Sequence, residues 1–326
     1  MKQTTALKFL FLSFFISYTA VAQVDQTTQT AASESSAITT NSTTNSTTNS
    51  TTNSATLERS TWLDKTSVTL YSFASVGVPE MEKGDASIFS YNYVAFNYKI
   101  SKDRRISFRP TFNYVSGGLN RFGDQVGEDV VADDFHIVYN NYDLGELAGS
   151  EISGNVRLYL PTGKNSQAQR MIAKTRAEVF FEWGVRQFSS LSYGIKADLL
   201  FHNERTYRNQ DIVTDNRGLY VSYPIQANRF AVLEHFLSYE GSISKTFSFE
   251  PQIGFKEEWR YRSDVEGIDD SHPTSLKSAA ALKVNFSKDI SVKVFLENQT
   301  RIDGSAPFTY GRPSDNSWLL ETYIRL

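Results

Sequence analysis

The sequence predicts an all-β fold, a transmembrane up-and-down antiparallel β-barrel of about 12 strands with short periplasmic turns and long external loops. Three observations carry that expectation: two-residue alternation, an export leader with no later membrane helix, and connections that alternate short and long. Alternation is clearest from Ile106 to Tyr114, where Ile106, Phe108, Pro110, Phe112 and Tyr114 interleave with Ser107, Arg109, Thr111 and Asn113. Successive strand side chains point to opposite faces, so one face is apolar and the other polar. The pattern returns in Ile152, Gly154, Val156, Leu158 and Leu160 against Ser153, Asn155, Arg157 and Tyr159. It returns again in Leu191, Tyr193, Ile195, Ala197, Leu199 and Phe201 against Ser192, Lys196, Asp198 and His202. Many such strands in one secreted chain form either a soluble sheet on a core or a membrane barrel with a wet interior.

The leader comes first in the chain. Lys2 and Lys8 precede an apolar run from Phe9 to Val21 that closes in Ala20-Val21-Ala22 before Gln23. Residues 1–22 therefore read as a signal peptide with a small-residue cleavage site, too short to span a bilayer as an anchor. No stretch after Gln23 offers about 18 consecutive apolar residues, so an exported membrane protein of this sequence must be a barrel. Residues 23–65 read as a disordered low-complexity linker rich in Ser, Thr and Asn, with four Asn-Ser-Thr-Thr-like units between Asn41 and Thr56. Such a segment has too little apolar surface to fold. Its Asn-Ser-Thr triplets match the glycosylation pattern by composition alone. Residues 66–326 remain for the barrel.

Composition agrees. Aromatic residues reach 13%, as 23 Phe and 17 Tyr with only 4 Trp, yet mean hydropathy is that of a soluble protein. A barrel spreads its apolar residues over every second position, which produces that combination. Absence of Cys excludes disulfides, thiolate zinc sites, thiol catalysis and a lipid-modified cysteine anchor. Loss of Lys2 and Lys8 with the leader takes the basic residues from 33 to 31 against 36 acids, a formal charge of −5 that gives no reason to expect nucleic-acid binding.

The connections carry the third signal. Short polar turns fall at Ser101 to Asp103, Gln187 to Ser190, Ser242 to Lys245 and Ser287 to Asp289, with a slightly longer one from Gly145 to Ser150. Between them lie irregular segments from Gly77 to Asp85, Gly117 to Asp133, Pro161 to Ile172, Asn203 to Asn228, Ser263 to Pro273 and Arg301 to Asn316. In an up-and-down barrel this sorting puts tight turns at one end and long loops at the other. A soluble sandwich or propeller has no reason to sort loop lengths in this way. Ile100-Ser101-Lys102, Ile243-Ser244-Lys245 and Phe286-Ser287-Lys288 also resemble one another, which polar tight turns explain without further function.

With these features together, the chain resembles the Gram-negative outer-membrane β-barrel superfamily from Ser67 to Leu326. The ending Trp318-Leu319-Leu320-Glu321-Thr322-Tyr323-Ile324-Arg325-Leu326 is similar to the superfamily's C-terminal assembly signal, with Leu320, Ile324 and Leu326 on one face. It departs from that signal in closing on Leu where an aromatic residue is usual. The resemblance implies placement in the outer membrane, with both termini in the periplasm. It also implies contact with outer-membrane lipids and lipopolysaccharide, and recognition of the last strand by the barrel-assembly machinery.

Putting the apolar parity outward leaves Arg109, Arg157, Arg176, Glu178, Glu182, Arg186, Lys196, Asp198, Glu250, Lys256, Glu258, Lys283, Lys293, Glu297, Glu321 and Arg325 inward as candidate pore-lining residues. The opposite choice would put charge in lipid, at about 2–4 kcal/mol for each Arg or Lys at midplane. Two readings of such an interior stand. It is a narrow hydrated channel constricted by facing charges, or a closed lumen in which those charges pair. Mixed sign leaves ion selectivity open. Parity is less clean from Val68 to Val76 and from Ile88 to Tyr93, where bulges or a lumenal aromatic cluster fit. Phe180, Leu200, Phe236, Phe295 and Leu319 also take the inward parity, as a greasy track or as internal packing.

Enzymatic readings find little support. Outer-membrane phospholipases and lipid A deacylases place a Ser two residues after a His, so that the imidazole activates the hydroxyl. Val138, Glu204, Leu237 and Thr274 follow His136, His202, His235 and His272 at that spacing. Asp133-Asp134-Phe135-His136 and Asp269-Asp270-Ser271-His272 could activate water or hold a cation, although solvated acidic loops, with Asp124, Glu128 and Asp129 nearby, account for them more simply. A translocator would need a large upstream passenger, and a TonB-dependent receptor a much longer chain. The long loop with Tyr207, Tyr220 and Tyr223 leaves a surface-contact role open. The sequence is read as a non-enzymatic, porin-like outer-membrane channel for passive passage of small polar solutes, with no cofactor or metal. The alternative is a non-conducting barrel with a structural or surface-interaction role.

Overall fold

A computed structural model of the chain describes residues 62–84, 86–119, 125–186, 189–208, 211–215, 218–222, 225–263, 268, 270–303 and 316–326. The leader and nearly all of the linker lie outside these residues.

Twelve strands form the wall. They are β1 (Thr66–Gly77), β2 (Phe89–Lys99), β3 (Arg104–Arg109 continued by Thr111–Val115), β4 (Asp129–Ala132 continued by Phe135–Leu147), β5 (Ser150–Leu160) and β6 (Met171–Arg186). They continue as β7 (Ser189–His202), β8 (Arg229–Ser242), β9 (Phe247–Arg260), β10 (Thr274–Asn285), β11 (Ile290–Arg301) and β12 (Asn316–Arg325). Each pairs antiparallel with its sequence neighbours. The first and last also pair, from Thr69 opposite Arg325 to Gly77 opposite Ser317. The seam ends in two reciprocal bonds, Leu326 N–H donating to the Val68 carbonyl at 2.8 Å and Val68 N–H to the Leu326 carbonyl at 3.3 Å. Closure leaves no sheet edge to pair with another chain or to sit unsatisfied in lipid.

The two interrupted strands break at neighbouring points. Pro110 has no N–H to give the ladder, and its carbonyl accepts from Val94 N–H at 3.2 Å. Opposite it, β4 opens at Asp133 and Asp134, with Asp133 N–H returning to the Thr111 carbonyl at 3.0 Å. The irregularity from Val68 to Val76 that the sequence suggested is not a bulge, since β1 pairs with β2 in unbroken register from Thr66 opposite Tyr98 to Ser75 opposite Phe89. It is a lumenal aromatic cluster. Tyr71, Phe73, Tyr93, Phe295 and Leu319 pack inside, with Tyr91 and Tyr323 against them, and the Tyr71 and Tyr93 rings stack at 4.7 Å.

Loop lengths sort by end as expected. Five short connections gather at one end and six long ones at the other. Ile100, Ile243 and Phe286 each donate to the carbonyl four residues on, at 2.9, 2.9 and 3.0 Å, and the following serine donates to that same carbonyl. The three similar turns thus share one geometry. The turn expected from Gly145 to Ser150 is tighter than its sequence suggested. Only Ala148 (φ 51°) and Gly149 (φ 75°) lie between β4 and β5, the left-handed pair that suits a two-residue hairpin. The extra length is absorbed in β4 as a register shift between Asn141 and Gly145. Among the long connections, α1 (Val78–Lys83) follows β1 and α2 (Lys164–Ala168) precedes β6. The segment between β7 and β8 carries two small hairpins, Thr206–Arg208 with Ile225–Ala227 and Asp211–Asp215 with Gly218–Ser222.

The outward parity is apolar and exposed. Phe96, Phe108, Val156, Leu199, Ile253, Leu282 and Leu296 all stand on it, Val156 with 54% of its surface open. An exterior of this kind is stable only against hydrocarbon, and no helix among the described residues is long and apolar enough to cross a membrane.

Candidate functional site

The inward parity of β5 to β11 builds a belt of ion pairs across the barrel. Register makes it, because cross-strand partners lie within reach of one another on a common face. Arg176 stands opposite Asp198, and its Nε and Nη2 donate to the two carboxylate oxygens at 2.5 and 2.8 Å. Lys174 holds the same carboxylate at 3.0 Å. Arg157 donates to Glu178 at 2.7 Å, and Asn155 Nδ2 reaches the same oxygen at 2.7 Å. Glu234 sits between Lys196 at 3.8 Å and Lys277 at 2.9 Å, and Lys277 also approaches Glu297 at 4.0 Å. Glu258 takes Lys256 at 2.7 Å and Arg229 at 3.2 Å. Toward the short-turn end, Glu250 pairs with Lys283 at 3.5 Å and with Lys293.

The sequence-predicted residues are therefore brought together, with differences in place. Arg109 is buried, its guanidinium 4.8 Å from the centre of the Tyr93 ring. Glu321 lies opposite Lys293, and Glu182 between Glu151 and Ser192. Arg325 reaches the short-turn rim instead, half exposed, where it pairs with Asp289 at 3.3 Å. The side chain of Arg186 lies outside the described residues. Lys174, Arg229, Glu234, Lys277 and Glu240, which pairs with Lys283 at 3.5 Å, belong to the network as well and are absent from the sequence-based set. Glu234 follows the same alternation as its neighbours Leu233 and His235, and parity alone suffices to find it.

Ring packing fills the space between the charges. Phe236 meets Phe180 edge to face at 6.2 Å, with Lys196 Nζ over its ring at 4.9 Å. Met171, Leu200 and Val232 form a small apolar cluster, so these inward apolar residues pack against one another. His136 is enclosed by Tyr159 at 4.0 Å and Tyr91 at 6.3 Å between ring centres.

Asp134 is not the solvated loop acid its sequence context suggested. It is 8% exposed, accepting from Gly163 N–H at 3.0 Å and from the Ser166 hydroxyl at 2.5 Å. Burial raises its carboxyl above the usual carboxylate range, and the two donors offset only part of that rise. Of the second acidic motif, Asp269 lies outside the described residues, Asp270 accepts from Ser263 N–H at 3.2 Å, and His272 Nδ1 accepts from Arg260 N–H at 3.4 Å. Asn228, 1% exposed, ties two connections at the mouth by donating to the carbonyls of Gln169 at 3.0 Å and Glu204 at 2.9 Å.

Between these tied loops and the charged belt lies a cavity of about 300 Å³. Arg176, Asp198, Glu234 and Lys256 line its inner side, and Asp134, Ser166, Gln169, Tyr207 and Asn228 its outer side. It is a polar vestibule at the long-loop end, closed inward by paired charge.

No protein-family model matches the sequence, and no curated protein is similar to it at a meaningful level. Solved structures do resemble the fold. The COG4313 outer membrane channel from Pseudomonas putida F1 superposes with a TM-score of 0.50 at 9% identity, over 80% of this chain and 96% of that one. The NanC porin gives 0.41 at 11% identity over 79% and 100% of the two chains. The β domain of the Bordetella autotransporter BrkA gives 0.41 at 9% identity over 80% and 99%. Together with the closed wall, the sorted loops and the apolar exterior, the likeness to the first of these gives the fold as a transmembrane antiparallel β-barrel of twelve strands.

Proposed function

We propose that the barrel is a narrow porin-like channel of the outer membrane that passes small polar solutes passively, with the ion-pair belt as its constriction. The observation that carries this reading is the vestibule of about 300 Å³ that ends on hydrogen-bonding charge. Polar groups along a pore replace the water that a solute sheds on entry, and opposed charges across a narrow section set a transverse field. Likeness to an outer-membrane channel agrees with it at the level of fold. In the same reading residues 1–22 are a signal peptide removed on export, residues 23–65 are a low-complexity periplasmic linker, and residues 66–326 are the barrel. Both termini and the short turns face the periplasm, the wall meets lipids and lipopolysaccharide, and the C-terminal strand is recognised by the assembly machinery. No step of chemistry is assigned to the chain.

A second reading is favoured by the completeness of the pairing. Charges that already bind one another also suit a non-conducting structural barrel. Planar-bilayer recording of the mature protein from Gln23 separates the two. Discrete current steps that change when Arg176 or Glu297 is replaced by Ala establish the channel. Silence from folded, inserted protein sinks it.

A further inference from the structure

The three similar turns do more than reverse the chain. Ile100, Ile243 and Phe286 all fall on the outward parity at the short-turn rim, and they are 49%, 72% and 61% exposed. Two residues on, at the tip of each turn, stand Lys102, Lys245 and Lys288, exposed and without an ion pair among the described residues. In two of the turns the intervening serine fixes the tip. Ser244 Oγ accepts from the Thr246 and Phe247 N–H groups at 3.1 Å, and Ser287 Oγ accepts from Asp289 N–H at 3.1 Å. A reversal in water needs only the polar residues. One bare apolar side chain beside each bare ammonium group, three times over, calls for a surface that is oily on one side and anionic on the other.

The closed wall gathers these turns. Because β12 pairs with β1, the β8–β9, β10–β11 and β2–β3 turns and the ends of β12 and β1 occupy one continuous arc of the rim. Along it Lys65, Lys99, Arg104 and Arg325 join the three turn lysines against Asp64, Asp103 and Asp289, a surplus of four positive charges. The β4–β5 turn breaks the pattern. From Asn141 to Ile152 it carries Asp143, Glu146 and Glu151, all exposed, and no cation, although Leu144 and Leu147 are 52% and 60% exposed.

Charge and apolar surface together select the partner. Each Lys or Arg near an anionic lipid surface strengthens attachment about fivefold. Free phosphate would meet the ammonium groups but offers nothing to Ile243 or Phe286, whereas a phospholipid supplies acyl chain and phosphate in the order in which each turn presents them.

We propose that this arc binds anionic phospholipid, each turn setting its Ile or Phe against the acyl chains and its lysine on the headgroup phosphate. The acidic β4–β5 side repels the same lipids. The inference rests on the barrel crossing a membrane and not on its conducting. In the orientation proposed above, the lipid is that of the inner leaflet.

The test is electron paramagnetic resonance on the mature protein refolded into phosphatidylcholine vesicles that hold a trace of spin-labelled phosphatidylglycerol or spin-labelled phosphatidylcholine. Flotation with the vesicles and heat-dependent gel mobility check that each variant is inserted and folded. The lipid immobilised at the wall should favour phosphatidylglycerol about twofold averaged around the barrel at low salt. That preference should vanish at about 1 M salt, where the screening length is about 3 Å. Changing Lys102, Lys245 and Lys288 together to Gln should bring the ratio close to one, while Lys164→Gln, at the long-loop end, should leave it unchanged. Glu146→Lys, beside Leu144 and Leu147, should build a fourth such turn and raise it. Equal immobilisation of the two lipids by the unaltered protein, a preference kept by the folded triple variant, or one abolished by inorganic phosphate at constant ionic strength each overturns the proposal. Currents without lipid preference remove this inference and leave the channel. Preference in a protein silent in bilayers does the reverse.

Discussion

The ring of Phe236 occupies the space that a side chain at Gly194 would need: a Cβ there would fall 2.3 Å from the Phe236 Cζ. Gly254, opposite Phe236 on its other side, would place its Cβ 2.5 Å from the His235 carbonyl oxygen and 2.6 Å from the Phe236 Cβ. Three strands in register thus carry one aromatic residue between two glycines.

Gly194→Ala therefore overpacks the lumen and should destabilise the barrel by about 1–3 kcal/mol. Urea unfolding in detergent measures it. Pairing the substitution with Phe236→Leu should restore most of the loss, and a null effect of Gly194→Ala would show that the ring is free to move.

Glu234 is shared by two buried lysines. Its replacement by Ala removes the shared carboxylate from both, leaving Lys277 only the more distant Glu297 at 4.0 Å, and should cost about 3–5 kcal/mol, the range for breaking a buried pair. Lys196→Ala leaves Glu234 with Lys277 and should cost less. Equal losses would indicate that the network does not act through this carboxylate.

The exterior makes a separate prediction. Val156→Arg puts a cation on the lipid face near the middle of β5, and should lower folding stability in lipid vesicles by about 2–4 kcal/mol. Val156→Leu should be tolerated within experimental error. A harmless arginine would place this strand away from the bilayer.

Asp134 gives the pH dependence. Its carboxyl is raised in the folded chain, so the native state holds the proton over a pH range in which the unfolded state has lost it. Stability of the tied connections should therefore fall as pH rises from the ordinary carboxylate value through the folded one. Limited proteolysis between Pro161 and Arg170 reads this out. Asp134→Asn should flatten the profile, and an unchanged slope would assign it to another group.

Much of this was legible in the sequence because alternation in a barrel reports one thing, lipid or lumen. Arg157 and Glu178 sit between apolar neighbours, and Arg176 shares the parity of Glu178, so alternation alone places all three. Lys277 was not placed, because it is followed by Ser278 and three alanines, which blur the parity. Lys174 shares the parity of Arg176, but the start of its strand is blurred by exposed Ile172 on that same parity and by the register shift between Met171 and Ala173. His136 and Asp134 looked like loop chemistry because their burial depends on Tyr159 and Ser166, which are distant in sequence and meet them only when β4, β5 and the connection before β6 assemble. Which charge pairs with which is a property of register, and no single strand carries it.

The seam between β1 and β12 has a kinetic meaning. The Val68 N–H and carbonyl bond to Leu326, so the wall cannot close until nearly all of the chain from β1 onward is present. Until then a half-formed copy presents two bare strand edges, each a template for sticking to a neighbouring copy, and contacts this distant in sequence are slow to form. Those edges stay open to other copies until the last strand closes the wall as its latch.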